Sequence, residues 1–296
     1  MNTAGNPASS NEITRNYLDS ILIEMRHIDN TLPDTTFRLF GEEFATPITT
    51  AALSHLGKDS EHGMVEFARG GAMANAIVFT GMGDTKELED MVATGAKVIK
   101  IIKPYEDENL ICEKIRHAED CGAFAVGMDI DHAFNKKGEY DNILGFPMRP
   151  KTLDDLKRYA GMTSLPFIVK GVLSRVDAEK CAEIGASGIV LSHHNGIIDY
   201  AVPPLMILPE IMKAVNGKLA VFVDCCMENG ADAFKALSLG ATAVSVGRKL
   251  MKPLSEQGAE GVAETIRLMT TQLKGIMART GVANLSSFDP SVLRLP

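Results

Sequence analysis

Short apolar runs rich in Val, Ile and Ala alternate along the chain with longer stretches in which apolar residues recur every three or four positions. The short runs predict buried strands at 47–51, 76–80, 97–102, 124–130, 166–170, 188–191, 219–224 and 243–247. Strands of a parallel sheet covered on both faces read as continuous apolar runs of this kind. The longer stretches predict amphipathic helices over 61–74, 85–93, 106–121, 153–160, 175–184, 205–215 and 230–239. Gly185-Ala186-Ser187 and Gly240-Ala241-Thr242 each stop a helix and start the next strand, because glycine accepts the left-handed conformation that ends a helix. Strand–helix alternation builds a parallel sheet wrapped by helices, and eight strands are the number that closes a barrel. The predicted fold class is α/β, a (β/α)8 TIM barrel with a short N-terminal extension. A doubly wound open sheet is the competing arrangement.

By this reading residues 1–45 form the extension and 46–296 the barrel. Within the extension, 11–28 reads as helix and 37–44 as a short hairpin able to cover the barrel floor. The longest loop, 131–151, follows the fourth strand; it carries Lys136-Lys137-Gly138-Glu139 and is broken by Pro147 and Pro150. Loops of that length in compact domains are lids or disordered spacers. A long helix is expected over 257–280, with a mostly irregular tail after Gly281.

A chain of 296 residues, 45% hydrophobic, suits one such barrel. The net charge of −8 argues against nucleic acid or an anionic membrane as partner. No apolar run approaches the roughly 18 residues that span a bilayer, and the first residues are polar, without the apolar core of a secretory signal. The five cysteines, Cys112, Cys121, Cys181, Cys225 and Cys226, have no metal-ligand spacing and form no even-numbered framework. They read as small half-buried residues of a reducing compartment, so a cytoplasmic location and no metal are expected.

Polar residues gather where the strands end. Thr80 ends the second strand, Lys100 lies near the end of the third, and Asp129 and Asp131 close the fourth. Lys170 ends the fifth, Ser192-His193-His194 follow the sixth, Asp224 ends the seventh and Gly247-Arg248 the eighth. Barrel enzymes build their sites on that one face, with phosphate beside the last two strands. Lys170 also suits a structural ion pair with a strand-end carboxylate, and His194 a helix-entry histidine bonded to backbone. The loops after Asp224 and after Gly247 both lead into helices, whose N-termini offer N–H groups to a phosphate, with Arg248 between them.

These residues resemble the FMN-dependent 2-hydroxy acid oxidase and dehydrogenase family, the glycolate oxidase and lactate oxidase group. That family reads Lys-Gly after strand five, then Ser-Asn-His-Gly-Gly-Arg, Asp-Gly-Gly-Ile-Arg, Lys-Ala-Leu-Ala-Leu-Gly-Ala and Gly-Arg. This chain has Lys170-Gly171, Ser192-His193-His194-Asn195-Gly196-Ile197, Asp224-Cys225-Cys226-Met227-Glu228, Lys235-Ala236-Leu237-Ser238-Leu239-Gly240-Ala241 and Gly247-Arg248, in the same order. Upstream, Asp129-Ile130-Asp131 stands where the family has Thr-Val-Asp, and Asp141 falls ten residues on. The resemblance implies FMN as cofactor and His194 as the base that takes a substrate proton, with Asp131 holding the imidazolium. It further implies Lys170 against the flavin, with Asp224, Cys225, Cys226, Ser192, Gly247 and Arg248 toward ribityl and phosphate. Ala51, Ala52 and Thr80 would line the ring, and Lys100 and Asp129 are counted with the cofactor-binding residues. A homo-oligomer, a tetramer in the family, is implied as well.

The departures concern substrate recognition. The family holds a substrate carboxylate with arginines, whose planar fork matches it. Here those positions are Ile197 and Gly138, with Lys136 and Lys137 beside the latter. The family's tyrosine after strand three becomes Ile102, with Lys100 in place of its glutamine. The N-terminal segment carrying another tyrosine is expected to be absent or much shortened, and Glu228 reverses the sign of the phosphate-loop arginine. Each lost charge-assisted bond is worth ~1.5–3 kcal/mol. Substrate contacts are therefore expected from His193, Lys136, Lys137, Ile102 and Ile197, and the substrate is expected to be larger than a simple 2-hydroxy acid or uncharged. The competing functions are a flavin-bound isomerase or reductase without net oxidation, and a cofactor-free barrel that binds a phosphorylated metabolite.

Overall fold

The computed structural model describes residues 8–56 and 63–296. Eight parallel strands form one sheet: β1 (Ile48–Thr50), β2 (Val78–Thr80), β3 (Val98–Ile102), β4 (Ala125–Asp129), β5 (Phe167–Val172), β6 (Gly188–Leu191), β7 (Ala220–Val223) and β8 (Ala243–Val246). The sheet runs in chain order from β2 round to β8 and on to β1. It closes where Thr50 N–H donates to Ile77 C=O at 3.1 Å and Gly81 N–H to Leu53 C=O at 2.8 Å. The architecture is the (β/α)8 barrel, and the open sheet is excluded.

Side chains alternate across each strand, so each strand divides its residues between two cores. Ile77, Phe79, Ile99, Ile101, Ala125, Ile168, Val190, Phe222 and Ala243 fill the barrel interior. Val78, Val98, Ile102, Val126, Val169, Ile189, Val221 and Val244 face outward beneath the helices. Phe79 and Phe222 meet edge to face inside, with ring centroids 5.1 Å apart. The hairpin Phe37–Leu39/Glu42–Phe44 turns through the left-handed Phe40 and Gly41. Its Phe37, Leu39 and Phe44 join the interior cluster, so it plugs the floor as expected.

Four expectations shift. The N-terminal helix ends at Ser20 rather than running to residue 28. Leu22–Ile23 instead pairs antiparallel with Leu293–Arg294, a partner supplied by the far end of the chain. The C-terminal helix begins earlier, as Arg248–Thr280, but Gly258 breaks it with φ 59° and ψ −139°, so two helices meet there and the second matches the expected one. The loop after β4 is ordered: Asn142–Ile143 and Phe146–Pro147 form a hairpin, and Arg149 N–H donates to Pro104 C=O. The helix expected over 61–74 is Met64–Met73, and residues 61 and 62 lie outside the described residues.

Candidate active site

The inward alternation that fills the barrel also aims the polar strand ends. Asp129 continues the Ala125 face of β4, Lys170 the Ile168 face of β5, Asp224 the Phe222 face beyond β7, and Lys103 the Ile99–Ile101 face beyond β3. All four are buried. An isolated charge there would be expelled by its desolvation cost, so these groups come paired. Lys103 Nζ lies 2.7 Å from Asp129 Oδ2, and Lys170 Nζ lies 4.0 Å from the same oxygen.

His194 stands over this cluster. Its backbone is left-handed at φ 47°, followed by Asn195 at 57° and Gly196 at 78°, a strained turn for two non-glycine residues. Ser192 Oγ accepts the His194 N–H at 3.0 Å and fixes the turn. The ring's Nδ1 is 2.6 Å from Asp131 Oδ1, 3.3 Å from Lys170 Nζ and 3.6 Å from Asp129 Oδ2. With a carboxylate at 2.6 Å, Nδ1 carries the proton and donates it, which leaves the Nε2 lone pair free. Burial, then the Lys170 charge, holds the imidazole down at about 3, so it rests uncharged. Burial and the Asp129 charge push Asp131 up. For Asp129 burial acts upward too, but Lys170 and Lys103 outweigh it and hold the carboxyl well below the usual range. Burial likewise opposes the Lys170 ammonium, and the carboxylates raise it nonetheless.

A cavity of about 360 Å³ opens beside His194, within the range of small-molecule sites. Ala51, Ala52, Lys170, His194, Asp224, Cys225, Cys226, Gly247 and Arg248 line it, together with Glu228 and Lys249. A Cβ on Gly247 would come within 3.3 Å of Ala51 Cβ, so glycine keeps this wall open. Arg248 and Lys249 begin a helix here, and their charge adds to its exposed N–H groups. Cys225 and Cys226, where the family motif has two glycines, retain left-handed backbones at φ 69° and 60°. Cys225 Sγ donates to Asp224 Oδ1 at 2.8 Å, and Arg15 Nη1 holds Cys226 C=O at 2.9 Å. Lys170, the narrow alanine wall and the cationic helix start together suit a flavin with an anionic tail.

The structure thus gathers most of the residues expected from sequence, with Asp129, Asp131 and Ser192 just behind the lining. Others lie elsewhere. Lys100 and Ile102 have the outward phase of β3: Lys100 Nζ donates to Gly81 C=O at 2.5 Å, and Ile102 packs in the outer core. The residue that reaches the site from this strand is Lys103, one position on. Thr80 is buried at the end of β2, its hydroxyl without a hydrogen-bond partner, and does not line the cavity. His193 is buried; its Nδ1 accepts from Gly196 N–H at 2.9 Å, so Nε2 donates to Thr14 Oγ1 at 2.9 Å and pins the N-terminal helix. Lys136 and Lys137 are exposed in the turn of the β4 loop, and half-buried Ile197 is absent from the lining.

Three residues near the site had no signal in the sequence reading. His132 packs on His194, ring centroids 4.1 Å apart, beside Asp141. Asn11 bonds Asn195 and Arg248. Arg15 forks onto buried Asp232 at 2.8 and 2.9 Å, stitching the N-terminal helix against the loops after β6 and β7. Asn11 and Arg15, four residues apart, share one face of that helix.

Comparison with known proteins agrees with this geometry. The family described as FMN-dependent dehydrogenase matches residues 2–153 and 150–295. Glycolate oxidase of Spinacia oleracea is 28% identical over 94% of this chain and 85% of its own length. The 2-hydroxyacid oxidase of Dictyostelium discoideum is 27% identical over 92% and 79%. L-lactate oxidase of Nostoc sp. reaches 38%, over 57% of this chain and 47% of its own. Mandelate oxidase with (S)-2-phenylpropionate superposes with a TM-score of 0.88 at 27% identity, covering 98% of this chain and 90% of that one. A mandelate oxidase variant with a C4a-OH-FMN adduct gives 0.89 at 26%, covering 98% and 92%. With a family match along nearly its whole length and a cavity that suits the flavin, this chain belongs to the FMN-dependent dehydrogenase family, the 2-hydroxy acid oxidase group, and is an FMN-dependent oxidoreductase.

Proposed function

We propose that this enzyme oxidises an uncharged hydroxyl-bearing substrate, such as a 2-hydroxy ester, amide or ketone, with His194 as base. The observation that carries the reading is the 2.6 Å pair of His194 Nδ1 and Asp131 Oδ1 at the wall of the cavity that Lys170 also lines. His194 Nε2 takes the substrate proton, and Asp131 holds the imidazolium so formed, as an acidic partner stabilises a charging base. FMN, when bound, accepts the two electrons that leave the substrate. Lys170 would hold the flavin, and Ala51, Ala52, Asp224, Gly247 and Arg248 would position its ring and tail.

Charge balance supports an uncharged substrate. Lys103 lies 2.7 Å from Asp129, and Lys170 lies 4.0 Å from the same carboxylate and 3.3 Å from His194 Nδ1, so both ammonium groups are already engaged and neither is free to clamp a carboxylate. The arginines that relatives acting on 2-hydroxy acids would use are Ile197 and Gly138 here, and Lys136 and Lys137 point into solvent. Anaerobic mixing of the holoenzyme with paired acids and methyl esters tests the reading. Faster bleaching of the visible flavin absorbance by the esters is expected. Faster bleaching by the free acids overturns it.

A further inference from the structure

We propose that His132, His194 and Asp131 form a binding site for a divalent d-block cation, Zn²⁺ foremost, which blocks the base reversibly. One ligand atom from each of the three residues falls within 4.8 Å of the others. Two atoms of the cluster are buried without a hydrogen-bond partner, His132 Nδ1 and Asp131 Oδ2. Buried polar atoms of this kind are rarely left unmet. Asp141 Oδ2, 3.5 Å from His132 Nδ1, is a fourth donor within reach. Two imidazoles with carboxylate are a donor set that suits zinc better than magnesium or calcium, which take oxygen alone. The catalytic reading uses His194 and Asp131 but gives His132 no task, although its ring packs against the base.

The neighbouring ammonium groups oppose a cation, Lys170 Nζ lying 3.3 Å from His194 Nδ1, and the three carboxylates of Asp129, Asp131 and Asp141 offset the two lysines. Asp131 and His194 share one proton across their 2.6 Å contact. Zinc entering between them takes the Nδ1 lone pair while that proton moves to Nε2, so the imidazole stays neutral, no proton is lost overall, and no oxidant or reductant is needed. While it is bound, His194 is no longer free to act as a base.

Isothermal titration of resting holoenzyme with zinc chloride tests the site without any substrate, so its outcome is separate from that of the substrate reading. One zinc per chain is expected, with a binding enthalpy that does not change between buffers of different ionisation enthalpy, since the imidazole proton only changes nitrogen. His132→Ala and His132→Gln should each weaken binding at least ~10-fold, in the range seen when a metal site loses a supporting group, whereas His27→Ala on the exposed surface should not. Retained flavin absorbance reports that each variant is folded. No saturable uptake by the wild type overturns the proposal. So does full affinity in both His132 variants, or binding that vanishes only with Cys225→Ser and Cys226→Ser.

Discussion

Two sides of one cavity follow different rules. On the base side, His194, Asp131, Asp129, Lys170 and Lys103 are held at strand ends in contacts of 2.6–4.0 Å, with opposite charges matched. On the tail side, the Asp224–Glu228 loop carries two left-handed cysteines and an exposed glutamate facing Arg248 and Lys249 across the lining. The first region leaves little room for substitution, since each buried charge is stable only through its partners. The second is half-buried at its cysteines and held largely by bonds to its backbone, such as Arg15 on Cys226 C=O and Glu228 N–H on Asp232, so it tolerates residues its conformation disfavours. Chemistry is therefore localised on the base side, and variation on the tail side costs affinity or modest stability.

The largest expected effect is on the base. His194→Ala should slow substrate-driven flavin bleaching by ~10²–10⁴-fold while FMN remains bound; stopped-flow traces matching the wild type would remove His194 from that role. Next comes the buried ion pair. Lys103→Met takes away the 2.7 Å ammonium partner of Asp129 and leaves Lys170 at 4.0 Å as the nearest cation, and should cost ~3–5 kcal/mol of stability in urea unfolding. Arg248→Met on the exposed tail side should cost under ~1 kcal/mol. Equal losses would erase the contrast between the two sides.

A pH series sharpens it further. His132 is held down at about 4 by burial and then Lys103, against an ordinary 6.5. Between those values the unfolded chain binds a proton that the folded chain refuses, so folding weakens as pH falls through that window and is unaffected above it. Wild type should lose stability relative to His132→Gln on acidification from about pH 6.5 to 4. A constant difference between the two would show that His132 is not so depressed. The smallest effect belongs to the tail side. Cys225→Gly relieves a left-handed residue costing ~1–2 kcal/mol and gives back ~0.5–1 in unfolded-chain entropy, a net gain of roughly 0.5–1 kcal/mol in the free energy of urea unfolding. Destabilisation would mean that the thiol bond to Asp224 outweighs the strain.

Much of this was legible in the chain. β6 is predicted to the residue, the other strands to within a few, and Lys170, His194 and Asp224 were placed correctly at strand ends because apolar runs mark where buried strands stop. The errors cluster where a strand's phase decides. β3 is buried on both faces, so nothing in 97–102 says which residues turn inward, and the pattern points to Lys100 and Ile102 where Lys103 reaches the site. His193 and His194 are adjacent, yet one pins a helix and the other faces the cavity.

The sequence by itself determined the alternation of strands and helices, the barrel class and the strand-end chemistry, because burial of apolar runs and the local needs of helix ends are short-range properties. Only the tertiary structure decided which lysine entered the site, which histidine faced the cavity, and that the N-terminal helix would brace the loops around it. Those outcomes depend on barrel closure and on partners as distant as Arg15 and Asp232, 217 residues apart, or Asn11 and Arg248, 237 apart, and no local pattern encodes a charge's partner until the chain has brought the two together.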